Sequence, residues 1–261
     1  MGDFPLGHET FSIVLPVASN PINTRKVGFI GAVDSVFRQS YTDWELILVD
    51  DGCTDDIPQL IDEYAKKDTR IKAIHQQQKQ RTGARNAGMK AATKDWICWL
   101  DSDDEYLKTY LEVLNSYMTE DYPGYKCYHF GAIVVRMGYQ SLRQTQELKE
   151  ENNHMEFFRS GGTGAGSFVF HKSILADVGF LPECLNPYRF ADLCKEESPE
   201  LIQHYGPKYL EGGKELGNPW GDDWYMFYKI TRKYKSKGLP IAPYIQYVRR
   251  QRFSFQPAKD Y

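Results

Sequence analysis

The chain has 261 residues, of which 41% are hydrophobic and 26% charged, and these are ordinary values for a globular protein with a sizeable core. The 32 Lys and Arg against 35 Asp and Glu give a net charge of −3, which argues against a dedicated nucleic-acid binder. Apolar runs such as residues 13–18 are far shorter than the ~20 residues of a membrane-spanning helix, and residues 1–10 lack a secretory signal pattern.

Strand and helix signals alternate through the first half of the chain. A β-branched apolar run at 11–17 predicts a strand, and apolar residues at helical spacing in 25–39 predict a helix. The alternation continues with a strand at 45–49, a helix at 57–67, a strand at 71–75, a helix at 83–92, a strand at 96–100 and a helix with an apolar stripe from Leu107 to Met118. This order predicts an α/β fold with a Rossmann-like, mostly parallel sheet flanked by helices.

The second half is less regular. A long strand is predicted at 126–137, a glycine-rich loop at 161–167, a strand at 168–171, a short helix at 174–179, a helix at 222–235 and a basic, aromatic strand or tail at 242–252. The turn-rich stretch 181–219 is interpreted as an insertion or lid over the sheet.

Acidic residues follow two of the predicted strands. Asp50-Asp51 comes after 46–49, and Asp101-Ser102-Asp103-Asp104 comes after 96–100. Ligands of open parallel sheets bind outside the carboxyl ends of the strands, so both clusters are expected to face one crevice. A hard cation such as Mg²⁺ or Mn²⁺, itself holding a phosphate, would relieve the repulsion between them. The alternative is that these acids are turn and N-cap residues, Asp104 being placed just before a helix.

The segments 12–17, 46–52, 81–88 and 100–104, in this order, resemble a family 2 glycosyltransferase. The resemblance implies a GT-A fold in one domain, with a nucleotide-sugar-binding half at 1–125 and an acceptor-binding half at 126–261. It also implies that a nucleotide-diphosphate sugar and a divalent metal, Mn²⁺ or Mg²⁺, are bound, and that the sugar is transferred with inversion.

The same resemblance assigns roles to individual residues. Pro16 and Val17 would line the base pocket, and Asp51 would accept a hydrogen bond from the base while Asp50 supports the turn. The remaining assignments place Arg85 and Ser102 at the nucleotide-sugar and Asn86 at the start of its helix. Asp101 would lie near the ribose and the metal, and Asp103 would be a direct ligand of the metal. Taken without its motif, Arg85 would be a solvated helix charge.

The predicted late helix supplies a candidate catalytic base. Asp223 shares a helical face with Met226 and Ile230, so its carboxylate should point inward. Burial raises the pKa of a carboxyl and a helix N-terminus lowers it, so we expect an ionised group that can take a proton. Asp222 is interpreted as the N-cap or an acceptor contact, and the alternative is that both acids are caps.

The acceptor side and the tail complete the expected site. Trp220 and the glycines of 161–167 would border the acceptor. In the tail, Arg249 or Arg252 would hold the diphosphate as a bidentate clamp, since Gln251 stands where the family often has a metal-binding His. A membrane-surface role for this tail is left open.

The expected function is transfer of a sugar, with a UDP-sugar as donor, to the hydroxyl of a glycan or glycolipid in polysaccharide or glycoconjugate synthesis. Ala18 departs from the family because a base-stacking aromatic often stands there, which keeps a non-catalytic nucleotide-sugar-binding module as one alternative. A sugar nucleotidyltransferase is the other, although residues 18–25 lack its glycine-rich loop. The five cysteines form no C-x-x-C pair, so a cytoplasmic protein is expected, with peripheral contact at the inner membrane face left open.

Overall fold

The computed structural model describes residues 8–18, 24–121, 124–136, 139–143, 165–183, 196 and 222–248. The strands are β1 (Phe11–Val17), β2 (Trp44–Asp51), β3 (Ile71–Gln76), β4 (Trp96–Trp99), β5 (Glu105–Tyr106), β6 (Cys127–Phe130), β7 (Ala132–Arg136), β8 (Tyr139–Arg143), β9 (Phe168–His171), β10 (Ser236–Leu239) and β11 (Tyr244–Val248). The α-helices are α1 (Thr24–Phe37), α2 (Ile57–Lys67), α3 (Gln80–Ala91), α4 (Tyr110–Asp121), α5 (Leu175–Val178) and α6 (Asp222–Thr231).

A sheet of seven strands, in the order β10-β6-β9-β4-β1-β2-β3, forms the centre of the described structure. β1 pairs in parallel with both β2 and β4, and β2 pairs in parallel with β3. β9 is antiparallel to β4 and β6, so the sheet is mostly parallel, as predicted. The strand order reverses beside β1, and a crevice at such a reversal is where open α/β sheets bind their ligands.

Buried side chains cover both faces of this sheet, as its continuous apolar strands predict. On one face α1, α2 and α4 pack through residues such as Val33, Ile61 and Leu114. On the other face α3 and α6 pack through residues such as Ala84 and Met226.

Helix α3 lies very close to β1. A methyl group built at Gly88 would lie 2.2 Å from Val14 Cγ1, which is a steric clash. The helix can therefore lie this close to the strand only because residue 88 has no side chain. The glycine thus sets how near α3, with its arginines, comes to the strands that carry the acids.

The predicted long strand at 126–137 is wrong. Gly131 interrupts it, and its N–H is held by Ile241 O at 2.9 Å. β6 before it belongs to the large sheet, whereas β7 after it belongs to a second sheet of four strands in the order β5-β11-β7-β8. Strands of both sheets have the same apolar pattern, so the sequence did not reveal where one strand ends and the next begins.

The prediction that Leu107 starts a helix is also wrong, because its N–H donates to Pro243 O at 2.9 Å and α4 begins at Tyr110. The strands at 11–17 and 168–171 and the helix at 57–67 are confirmed to the residue. Within the described residues no helix is long and apolar enough to cross a membrane.

Candidate active site

The turn after β2 is held by its own first carboxylate. Asp50 Oδ1 accepts a hydrogen bond from the Cys53 N–H at 2.7 Å, which closes the turn around Gly52. Gly52 has φ of +76°, and a methyl group there would lie 2.9 Å from the Gln78 nitrogen. Asp50 therefore holds the backbone of this turn.

Asp51 lies beside it, 2% exposed, and is held by the last residue of β3 and by the chain that follows this strand. Its Oδ1 accepts from Gln76 Nε2 at 2.8 Å and from the Lys79 N–H at 2.7 Å. The hydrogen bonds that Asp51 receives from described residues all use this one oxygen. Val17 pairs with Asp50 across the ladder, so the ends of β1 and β2, including Pro16, meet at one edge.

Arg85 is the centre of the charge network. Its side chain is fully buried on α3, so the interpretation of Arg85 as a solvated helix charge is wrong. Nη2 donates to Asp101 Oδ1 at 2.8 Å, Nη1 lies 2.6 Å from Asp222 Oδ2, and the guanidinium stacks on Trp99 at 4.4 Å from the ring centre. One cation thus joins the acids after β4 to the first residue of α6.

The two acids of α6 differ in exposure and in partners. Asp222 is 4% exposed and pairs with Arg85, with Arg81 Nη1 further away at 3.5 Å. The sequence interpreted Asp222 as a cap or an acceptor contact, and the structure adds a buried ion pair with Arg85 that the sequence did not predict. As a residue, Asp223 is partly exposed, whereas Asp222 is buried.

The charges around Asp223 pull its pKa in opposite directions. Burial raises the pKa, Arg85 lowers it, and the carboxylates of Asp222 and Asp101 raise it again. The resulting pKa of Asp223 is about 6. At neutral pH the group is mostly ionised but close to its titration, which suits a general base.

The acids after β4 separate into two kinds. Asp101, Ser102 and Asp103, in the loop that follows β4, are partly exposed. Asp104 is buried and accepts the Tyr247 N–H at 2.9 Å, so its expected role as a helix cap is wrong. Asp104 is followed by β5, which pairs with β11, and its hydrogen bond to Tyr247 ties the loop to β11.

Among the residues that the structure describes, no group of three or more His, Cys, Asp or Glu could hold a metal ion together. Asp101 and Asp103, the two carboxylates that the resemblance implies for the metal, would be sufficient for Mg²⁺ or Mn²⁺ only if substrate phosphates and waters completed the shell.

Several expected residues lie outside the described part: Trp220, Arg249, Gln251, Arg252, the loop at 161–164 and most of the insertion at 181–219. Asn86 is described, and it exchanges hydrogen bonds with the backbone of Leu181 at 2.8 and 3.0 Å instead of fixing its own helix start. His75 and Gln76 contact Asp50 and Asp51 and were not predicted from the sequence. Their position at the end of β3, next to β2, is the signal that could have found them.

Comparisons with known proteins give the family. The sequence model described as glycosyl transferase family 2 matches residues 29–179, more than half of the chain. An uncharacterized glycosyltransferase of Rickettsia felis is 38% identical over 115 residues, which are 44% of this chain and 18% of the relative. A Campylobacter jejuni relative, GalNAc(5)-diNAcBac-PP-undecaprenol beta-1,3-glucosyltransferase, is 27% identical over 178 residues, which are 66% of this chain and 55% of the relative.

Solved structures show the same fold. S. aureus TarS residues 1–349 with UDP-GlcNAc matches with a TM-score of 0.65 at 17% identity, over 93% of this chain and 59% of that one. A Pyrobaculum calidifontis mannosyltransferase with GDP-Man and Mn²⁺ matches with a TM-score of 0.58 at 12% identity, over 95% and 59%. The chain thus spans less than two thirds of these relatives. By the family match and this architecture, it belongs to glycosyl transferase family 2 and has the GT-A fold.

Proposed function

We propose that the protein is a metal-dependent, inverting glycosyltransferase that moves a sugar from a UDP-sugar to the hydroxyl of a glycan or glycolipid acceptor. The observation that carries the proposal is the Asp101–Arg85–Asp222 network, which brings the strand-end acids beside Asp223. In this proposal the network brings donor-side and acceptor-side groups together, as a group transfer requires.

The donor base is recognised by Asp51 in this proposal. Because Gln76 and Lys79 occupy Oδ1, Oδ2 is the oxygen left to accept a hydrogen bond from a ligand. Uracil and guanine each carry a ring N–H that can donate to it, whereas the corresponding ring nitrogen of cytosine has no hydrogen. TarS has been solved with UDP and with UDP-GlcNAc, and the likeness to TarS supports the choice of a uridine nucleotide in this proposal.

Asp223 is proposed as the base. It takes the proton of the acceptor hydroxyl as the oxygen attacks the anomeric carbon from the side opposite the diphosphate, which gives inversion. Arg85 holds Asp222 and Asp101, so the helix start that carries Asp223 is fixed relative to the donor edge.

Asp101 and Asp103 would hold the cation, Mn²⁺ or Mg²⁺. When bound, the cation supplies positive charge to the diphosphate as it leaves. A two-carboxylate set at a partly exposed edge fits this role, since the donor's own phosphates complete the shell. The Pyrobaculum mannosyltransferase, which shares the fold, was solved with Mn²⁺, and this supports the choice of cation.

The acceptor is proposed from the relatives. The name of the Campylobacter jejuni relative describes transfer to a sugar chain on undecaprenyl diphosphate, a membrane glycolipid. A similar acceptor here would bring the protein into peripheral contact with a membrane surface and place it in polysaccharide or glycoconjugate synthesis.

The first test is calorimetric titration of UDP, GDP, CMP and dTDP, each with Mn²⁺ and with EDTA. Tight binding of UDP that needs the metal supports the proposed donor site, and the absence of binding to every nucleotide would refute it. Turnover of a UDP-sugar in the presence of acceptor glycans then separates a transferase from a silent binding module.

Two substitutions separate the proposed roles. Asp103→Ala should remove metal-dependent turnover while the far-UV circular dichroism stays unchanged. Asp223→Asn should keep UDP affinity but reduce kcat by about 10²-fold or more, as expected when a general base is lost. Turnover equal to wild type in either variant would contradict the role assigned to that residue.

A further inference from the structure

Two side chains at the end of β3 lie opposite the two acids of the candidate donor site. In the parallel ladder, His75 pairs with Asp50 and Gln76 pairs with Asp51. Successive residues of a strand point to opposite faces of the sheet, so the two pairs lie on different faces. Each acid therefore has its own partner from the neighbouring strand.

His75 joins the turn to helix α2. Its Nδ1 lies 2.9 Å from Asp50 Oδ2 and its Nε2 lies 3.1 Å from Asp62 Oδ1 on α2. Only a doubly protonated imidazole can donate to both carboxylates at once. The hydrogen bond to Asp50, and then that to Asp62, raises the pKa of His75 above its ordinary value, which favours this form.

The Asp50 contacts show what this bridge controls. Asp50 Oδ2 receives His75 while Oδ1 holds the Cys53 N–H, so one carboxylate connects α2, through His75, to the backbone of the turn. The side chain of Asp50 is 7% exposed and that of Asp62 is 54% exposed. The bridge thus runs from a solvent-facing acid to a buried one.

Gln76 acts on the other face. Its amide nitrogen donates to Asp51 Oδ1 at 2.8 Å, the oxygen that also receives the Lys79 N–H. Two donors on one oxygen fix the rotation of the carboxyl group, so the direction of Oδ2 is set before a ligand arrives.

We propose that His75 and Gln76 are positioning residues for the nucleotide, His75 by holding the Asp50–Cys53 turn against α2 and Gln76 by orienting the Asp51 carboxylate. This assignment rests on the proposed function, since it takes Asp51 as the group that binds the base. Neither residue is proposed to contact the donor, so their loss should weaken donor binding and leave the chemical step unchanged.

The experiment measures UDP affinity with Mn²⁺ by calorimetry, together with kcat and the donor KM. Gln76→Ala and His75→Leu are each expected to raise the UDP Kd and the donor KM about ten-fold, the loss expected for a hydrogen bond to a charged group. kcat at saturating donor should stay within about two-fold of wild type. The matched control is Gln77→Ala, the exposed neighbouring glutamine, which should change neither constant.

Two further variants test the bridge itself. His75→Gln, which can still donate to Asp50, should recover part of the affinity lost in His75→Leu. In Asp62→Asn, the pKa of His75 followed by NMR should fall relative to wild type, a readout that needs no donor. An unchanged His75 pKa, or a His75→Gln variant no better than His75→Leu, would overturn the bridge.

The outcomes distinguish this inference from the proposed function. If wild type binds no nucleotide, the donor site and this assignment both fail. If wild type binds UDP and the folded His75→Leu and Gln76→Ala variants bind it equally well, the positioning roles are overturned while the donor site stands. A lower kcat with an unchanged donor KM would also overturn them.

Discussion

Replacing Arg85 by methionine should destabilise the protein strongly. The guanidinium is fully buried between Asp101 and Asp222, and the Asp222 side chain is only 4% exposed. Arg85→Met keeps most of the side-chain volume but leaves the Asp222 charge without its close counter-ion. Removing one partner of a buried ion pair typically costs about 3–5 kcal/mol, because the remaining charge is poorly solvated. The contact with Trp99 would be lost as well.

Denaturant unfolding measures this cost, with the free energy of unfolding of Arg85→Met compared with wild type. The matched control is Arg81→Met, whose side chain is 62% exposed and lies 3.5 Å from Asp222, and which should cost less than about 1 kcal/mol. Adding Asp222→Leu to Arg85→Met should recover part of the loss, since the stranded charge is then gone. A cost below about 1 kcal/mol for Arg85→Met, or no recovery in the double variant, would refute this reasoning.

The remaining predictions concern pH and packing. Because the pKa of Asp223 is about 6, kcat/KM should fall on the acid side of pH 6, and a rate that is level down to pH 5 would contradict its role as base. Gly88→Ala places a methyl group 2.2 Å from Val14 Cγ1 and should lower the thermal midpoint by an amount equivalent to about 1–3 kcal/mol, partly restored by Val14→Ala. Burial lowers the pKa of His129 to about 3, so the folded state resists its protonation and the free energy of unfolding should decrease as pH falls from 6.5 towards 3. The expected slope from this group is about 1.4 kcal/mol per pH unit in pH-dependent unfolding, and His129→Gln should flatten it.

The sequence predicted those parts of the fold whose signals are local. Apolar runs and helical spacing gave β1 and α2 to the residue, because each has one dominant period and clear turn residues at its ends. The same apolar pattern predicted β6 and β7 as one strand, because periodicity does not show which sheet a strand enters. Short strands such as β5 have too few residues for any period to appear.

The candidate site divides in the same way. The positions of Asp51 and Asp101 at strand ends follow from the chain order and the rule for parallel sheets. The pairing of Asp222 with Arg85 does not, because it joins residues far apart in the chain through tertiary packing alone. His75 and Gln76 were missed for a related reason, since the ladder register that places them opposite Asp50 and Asp51 is a property of two strands together.

The Asp222–Arg85 ion pair also limits how the two halves of this chain can be recombined. A fragment that ends before α6 would lose Asp222, so that among the described ion-pair partners of Arg85 it would keep Asp101 alone. The first half is therefore a poor candidate for a stand-alone module. A chimera that takes its acceptor half from another family member should tolerate many different loops, provided that the transplanted helix begins with an acid at the position of Asp222.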